Sequence, residues 1–203
     1  IHAIACKEAA IYWFGWTSRM TPPEVLSHCV FDASGDVSSS PRSAFPRNTA
    51  EFRARYGAEF TDMLIAEANA MRRLRNMGDA DFVYKGYGLF QYDLQHVTTD
   101  EEFFRQRQWG DFQACLARVI SELDAKANGA ATIRDIARRY NGSGARAEEY
   151  ANHILQIRKW LATGGAVQKR TCVAWLALYR VSTSGLRPES EVETRYNASH
   201  ATQ

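Results

Sequence analysis

Two glutamates stand where the sequence is otherwise apolar. Glu8 follows Ile1 and Ile4 and precedes Ile11, and Glu67 interrupts a stripe made of Phe52, Tyr56, Phe60, Met63, Leu64, Met71 and Leu74. Spacings of three and four place each set on one face of a helix. A carboxyl on such a face loses hydration, which favours its protonated form. An acid that keeps its proton near neutral pH can donate it to the leaving oxygen of a glycosidic bond. The same placement also suits a buried glutamate that does no more than hydrogen-bond to backbone or a tyrosine.

Residues 86–95, Gly-Tyr-Gly-Leu-Phe-Gln-Tyr-Asp-Leu-Gln, combine flat apolar rings with hydrogen-bonding groups. Gly86 and Gly88 permit close backbone approach. Tyr87, Phe90 and Tyr92 offer ring faces, and Gln91, Asp93 and Gln95 offer polar groups at alternate positions. A sugar, half apolar and half hydroxyl, fits such a floor. Farther on, Tyr140-Asn141-Gly142-Ser143-Gly144 ends a helical pattern, and is readable as a simple C-terminal cap or as an exposed pair that orients a ligand.

These segments resemble, in type and order, motifs of the lysozyme superfamily, specifically goose-type lysozymes and lytic transglycosylases. Gly88-Leu89-Phe90-Gln91 is similar to that family's Gly-Leu-Met-Gln, and Tyr140-Asn141-Gly142 to its Tyr-Asn-Gly-type motif, so the likeness covers about residues 84–160. Bacterial lysozyme-like proteins with Cys-Gln-Glu-Thr-Gly-Tyr-Ile-Trp, Ala-Phe-Pro and Gly-Phe-Gly-Ile-Phe-Gln-Tyr-Asp-Leu-Gln resemble it more closely. The chain has Cys6-Lys7-Glu8-Ala9-Ala10-Ile11-Tyr12-Trp13, Ala44-Phe45-Pro46 and residues 86–95 in those places.

The resemblance implies a lysozyme-like fold and a peptidoglycan glycosidase that cleaves the N-acetylmuramic acid to N-acetylglucosamine linkage. It makes Glu8 the first choice for the proton donor. Glu67 is the rival, because it lies nearer in sequence to Gly88, as the goose-type pattern requires. Tyr87, Gly88, Leu89, Gln91 and Asp93 become substrate-binding residues, with Tyr140 and Asn141 orienting substrate and acid. Asp32, Asp36, Asp93 or the losing glutamate could activate water for hydrolysis, whereas a lytic transglycosylase needs one acid/base residue. Chitosanase-like cleavage is a third option, and a glycan-binding module without turnover is the alternative from another class. The implied partner is the peptidoglycan strand, which places the protein in a secreted, periplasmic or cell-wall-facing setting.

Helical periodicity must supply most of the frame. The spacing predicts helices near the N-terminus, from Pro22-Pro23 through Cys29, from Thr49 as cap to about Asn76, from Asp100 as cap through Lys126, from Thr132 to Tyr140, and across Ala147 to Leu161. Phe82 to Leu94 reads as extended or hairpin-like, so the fold class is mainly α (α+β) with a small β-hairpin. Residues 32–46, rich in Ser, Gly and Pro, read as a flexible insertion. One domain is expected over 1–181, with a large insertion at about 17–80, an apolar segment at 173–181, and a polar tail over 182–203.

At 203 residues, 45% hydrophobic and 12% aromatic, the chain is globular, and a net charge of +2 lends little to a nucleic-acid reading. Cys6, Cys29, Cys115 and Cys172 form no CxxC pair and read as buried thiols rather than disulfides, and the five histidines show no metal-ligand spacing, so no metal or cofactor is called for. No run of apolar residues is long enough to span a bilayer. The chain opens on Ile1, which neither shows nor excludes a leader. The arginines at 72, 73, 75, 138 and 139 suit solvated helix faces, or the carboxylates of peptide stems.

Overall fold

The N-terminal helix forms with an interruption at its most interesting residue. His2–Ala5 (α1) runs into a π-helical turn at Cys6–Ala10 and continues as Ile11–Trp13 (α2). A π turn carries one more residue per turn than an α-helix and swings side chains off the regular spacing. Ala3, Ile4, Ala5, Ala9 and Trp13 are buried on one side, and Glu8 sits in the middle of the widened turn. The computed structural model describes residues 1–13 and 15–163. Cys172, the segment at 173–181 and the tail at 182–203 lie outside them.

Pro22–Ser27 (α3) starts where a reciprocal cap forms: the Thr21 backbone N–H donates to Glu24 Oε2 at 2.7 Å, and two prolines open the first turn. Val30–Phe31 (β1) follows. The helix expected from Thr49 to Asn76 is two helices, Thr49–Tyr56 (α4) and Ala58–Leu74 (α5), because Gly57 takes φ of 85° between them. Asn48 rather than Thr49 is the cap, accepting from Glu51 N at 2.9 Å. Thr49 is buried. Its hydroxyl donates to Asp36 and accepts from the Val83 backbone.

Gly86–Tyr87 (β2) and Tyr92–Asp93 (β3) form the expected hairpin, which extends β1 into a three-stranded antiparallel sheet of order β1-β2-β3. Val30 lies opposite Tyr87, and Tyr87 opposite Tyr92. The helix expected from Asp100 to Lys126 also divides, into Glu101–Arg105 (α6) and Phe112–Ala127 (α7), with a short 3-10 turn at Gln108–Gly110 between them. Arg107 makes the break at φ of 52°, Asp111 caps α7 by accepting from Ala114 N, and Asp100 instead holds the Arg118 guanidinium at 2.7 Å. Ile133–Tyr140 (α8), capped by Thr132, and Ala145–Thr163 (α9) are the last described elements of a mainly helical fold with a small three-stranded sheet.

The segment at 32–46 is fastened rather than loose. Arg42 grips Asp93 with both terminal nitrogens and donates to the Phe45 and Pro46 carbonyls. Asp36 accepts from Thr49 and from Lys85, whose fully buried ammonium also donates to Val83 O at 2.8 Å. Burial pushes the Lys85 pKa down while Asp36 opposes the shift. Residues expected as an insertion supply Leu26, Phe31, Phe52, Leu64 and Met71 to the same core as Trp109, Phe103 and Leu94. Cys29 and Cys115 are buried thiols that donate to the Val25 and Trp109 carbonyls. Among the described residues no helix is long and apolar enough to cross a membrane.

Candidate active site around Glu8

Glu8 is positioned by two helices that meet at its turn. The π turn faces α9, and there Tyr150 Oη donates to Glu8 Oε1 at 2.5 Å. Tyr150 is buried, and Glu8 is half-buried. Burial is the largest influence on Glu8 and raises its pKa, while the Tyr150 hydrogen bond and the Lys7 charge pull the other way. Burial and then the Glu8 charge push the Tyr150 phenol well above its ordinary range, so it remains a proton-bearing donor.

Tyr140 lies beside this pair at the end of α8, its ring stacked on Tyr150 with centroids 6.1 Å apart. Its hydroxyl donates to the Phe90 carbonyl at 3.0 Å. Segment 86–95 therefore reaches Glu8 through a backbone carbonyl and two tyrosine rings. Next to the pair is a polar cavity of about 260 Å³ lined by Lys7, Asn141, Arg146, Glu149, Tyr150 and His153. It falls just below the range of about 300–1,000 Å³ usual for small-ligand pockets. Asn141 is exposed at its rim as the C-cap of α8.

The other sequence-selected residues are placed differently. Tyr87 and Leu89 are fully buried, Phe90 is 3% exposed, and Tyr87 packs against Trp109 and Phe104 at 4.9 and 5.3 Å. These rings are core rather than an open floor. The gap enclosed by Tyr87, Phe90, Tyr92, Cys115, Val119, Glu122 and Tyr140 is too narrow to admit water. A Cβ on Gly86 would meet Gln91 Oε1 at 2.3 Å, and one on Gly88, at φ of 75°, would meet Cys115 Sγ at 2.5 Å. The glycines thus serve close internal packing. Gln91 donates to the Gly88 and Cys29 carbonyls, and Asp93 holds Arg42 and the Gln95 N–H.

Glu67 stands apart from Glu8's partners. Its Oε1 accepts from Arg107 Nε at 2.6 Å, and its charge adds to the burial that raises the Tyr87 phenol. The acids suggested for activating water are likewise engaged, Asp32 with Ser34, Asp36 with Lys85 and Asp93 with Arg42. The arginines suggested for peptide stems are occupied too: Arg73 pairs with Asp79, Arg72 donates to Gly78 O, Arg75 lies over the Tyr12 ring, Arg138 pairs with Glu148, and Arg139 donates to the carbonyls of Lys126, Asn128 and Gly129 around the end of α7.

Sequence reasoning missed Lys7 and Arg146 as cavity residues, although Arg146 and His153 lie one helical turn to either side of Tyr150. That spacing was the available signal. Among the described residues no cluster of His, Cys, Asp and Glu could hold a metal ion. No family model, curated protein or solved structure matches this chain.

Proposed function

We propose that this chain is a peptidoglycan glycosidase in which Glu8 is the general acid. The observation that carries the reading is the Glu8–Tyr150 pair: a carboxyl with a raised pKa, bonded on one oxygen by a buried phenol that itself lines a polar cavity. Tyr150 occupies Oε1, which leaves Oε2 as the oxygen to carry the transferable proton. The resemblance of residues 6–13, 44–46, 86–95 and 140–142 to lysozyme-superfamily motifs adds the substrate class.

Glu8 gives its proton to the bridging oxygen as the bond from that oxygen to the sugar's anomeric carbon lengthens and positive charge grows on the ring. The carboxylate left behind keeps the Tyr150 hydrogen bond, which is stronger to the ionised than to the neutral form. The same carboxylate then takes a proton from the attacking nucleophile. That nucleophile is either water or the 6-hydroxyl of the muramoyl unit, which leaves a 1,6-anhydro end. The engagement of Asp32, Asp36, Asp93 and Glu67 with other partners favours the route that needs one acid/base residue.

Incubating purified sacculi with the wild-type protein and analysing soluble products by mass spectrometry tests this directly. Released fragments with anhydro ends support the single-residue route, and reducing ends support hydrolysis. Retention of the protein on sacculi with no released fragment would replace the enzyme by a glycan-binding module.

A further inference from the structure

The cavity beside Glu8 holds two cations that the fold itself does not use. Lys7 comes from the π turn and Arg146 from the first turn of α9. Among the described residues neither side chain has a hydrogen bond or ion pair, and Lys7 acts on Glu8 as a charge. The arginines of neighbouring α8 behave differently, since Arg134 and Arg138 face Glu148 and Arg139 caps the end of α7. The cavity's other titratable groups are the buried Tyr150 phenol, Glu149 and His153, whose Nε2 lies 3.9 Å from Glu149; Arg146, Glu149 and His153 are all exposed. Glu8 is not among the residues that line the cavity, and its Oε1 is held by Tyr150. Two cations therefore face one solvated carboxylate across a space of about 260 Å³.

We propose that Lys7 and Arg146 form a carboxylate-binding wall, so that this cavity takes an acid-bearing glycan strand in preference to a neutral one. This rests on the glycosidase reading of the same cavity. An ammonium and a planar guanidinium converging on one space suit a carboxylate, the guanidinium gripping both oxygens and the ammonium acting as a point charge. In peptidoglycan the carboxylate comes either from the stem peptide or, on a strand stripped of peptides, from the lactyl group of the muramic acid itself.

Binding to the Glu8→Gln protein separates these cases, because the amide resembles the protonated acid and removes turnover. Isothermal titration uses soluble tetrasaccharides of three kinds: stem-bearing, stripped with free lactyl carboxylates, and neutral chitotetraose. The expected result is tighter binding of at least one acidic ligand. Adding Lys7→Met or Arg146→Met then weakens that ligand about tenfold, the size of one charge-assisted hydrogen bond, and leaves chitotetraose unchanged.

Whichever acidic ligand shows the loss identifies the source of the carboxylate. Equal weakening of acidic and neutral ligands, no weakening, or no binding of any ligand overturns the proposal. Fragment release from sacculi by wild-type protein, measured alongside, separates the two failures. Release without selective loss removes the cation wall and leaves the glycosidase; no release and no binding remove both.

Discussion

Replacing Tyr150 by phenylalanine removes one hydroxyl and little else, since the ring keeps its place against Tyr140 and in the core. The hydroxyl donates to Glu8 Oε1 at 2.5 Å. A hydrogen bond to a charged group contributes about 1.5–3 kcal/mol, against about 1 kcal/mol for a neutral pair. No cavity term adds to this, so Tyr150→Phe is expected to lose ~2 kcal/mol when Glu8 is ionised and roughly half of that when it is protonated. For a chain of this size ~2 kcal/mol corresponds to a fall in melting temperature of about 4–8 °C.

The sign with pH follows from the same bond. Tyr150 lowers the Glu8 pKa, so removing it raises that pKa further, and the penalty grows as pH rises through the Glu8 titration. Urea unfolding of wild type, Tyr150→Phe, Glu8→Gln and the double variant, at about pH 4 and about pH 8, gives the coupling energy in each state. A coupling that is absent, or one that is larger at the acid end, would refute the bond as described. In activity, Tyr150→Phe moves the basic limb of the pH–rate profile upward, because Glu8 keeps its proton to higher pH.

Glu8→Gln is more stable than wild type at neutral pH, because a carboxyl with a raised folded-state pKa loses stability as pH climbs above its ordinary value of 4.5. The difference closes below that value, as thermal melts across pH will read. Asp36→Ala leaves the buried Lys85 ammonium without its carboxylate and costs about 3–5 kcal/mol by denaturant unfolding. Lys85→Met in the same background restores part of the loss. Gly88→Ala meets both a φ of 75° and Cys115 Sγ at 2.5 Å, so it costs about 1–3 kcal/mol or more; a stability equal to wild type would contradict the packing account.

Periodicity revealed the helices but not their breaks. Phe52, Tyr56 and Phe60 keep helical spacing across Gly57 because their rings remain packed together, 4.9 Å from Phe52 to Tyr56 and 5.3 Å from Phe52 to Phe60. The second break falls on Arg107, which adopts a left-handed conformation with no glycine to announce it. Glu8 and Glu67 look alike in sequence because each has apolar neighbours on its own helix. What separates them is a partner from elsewhere, Tyr150 for one and Arg107 for the other.

Segment 86–95 gave its hairpin through its glycines and alternation, but composition alone made its rings look available. Trp109, Phe104 and Cys115, brought in by later elements, turn that face into core. Lys85 follows the apolar run Phe82-Val83-Tyr84, and its countercharge at Asp36 arrives from a loop far earlier in the chain. Long-range pairing of this kind leaves no local signal.

Glu8 rather than Glu67 is the proposed acid, and comparing fragment release from purified sacculi by wild type, Glu8→Gln and Glu67→Gln distinguishes the two. Release should vanish in Glu8→Gln and persist in Glu67→Gln, which removes the ion pair with Arg107. Persistence in Glu8→Gln with loss in Glu67→Gln would contradict the account.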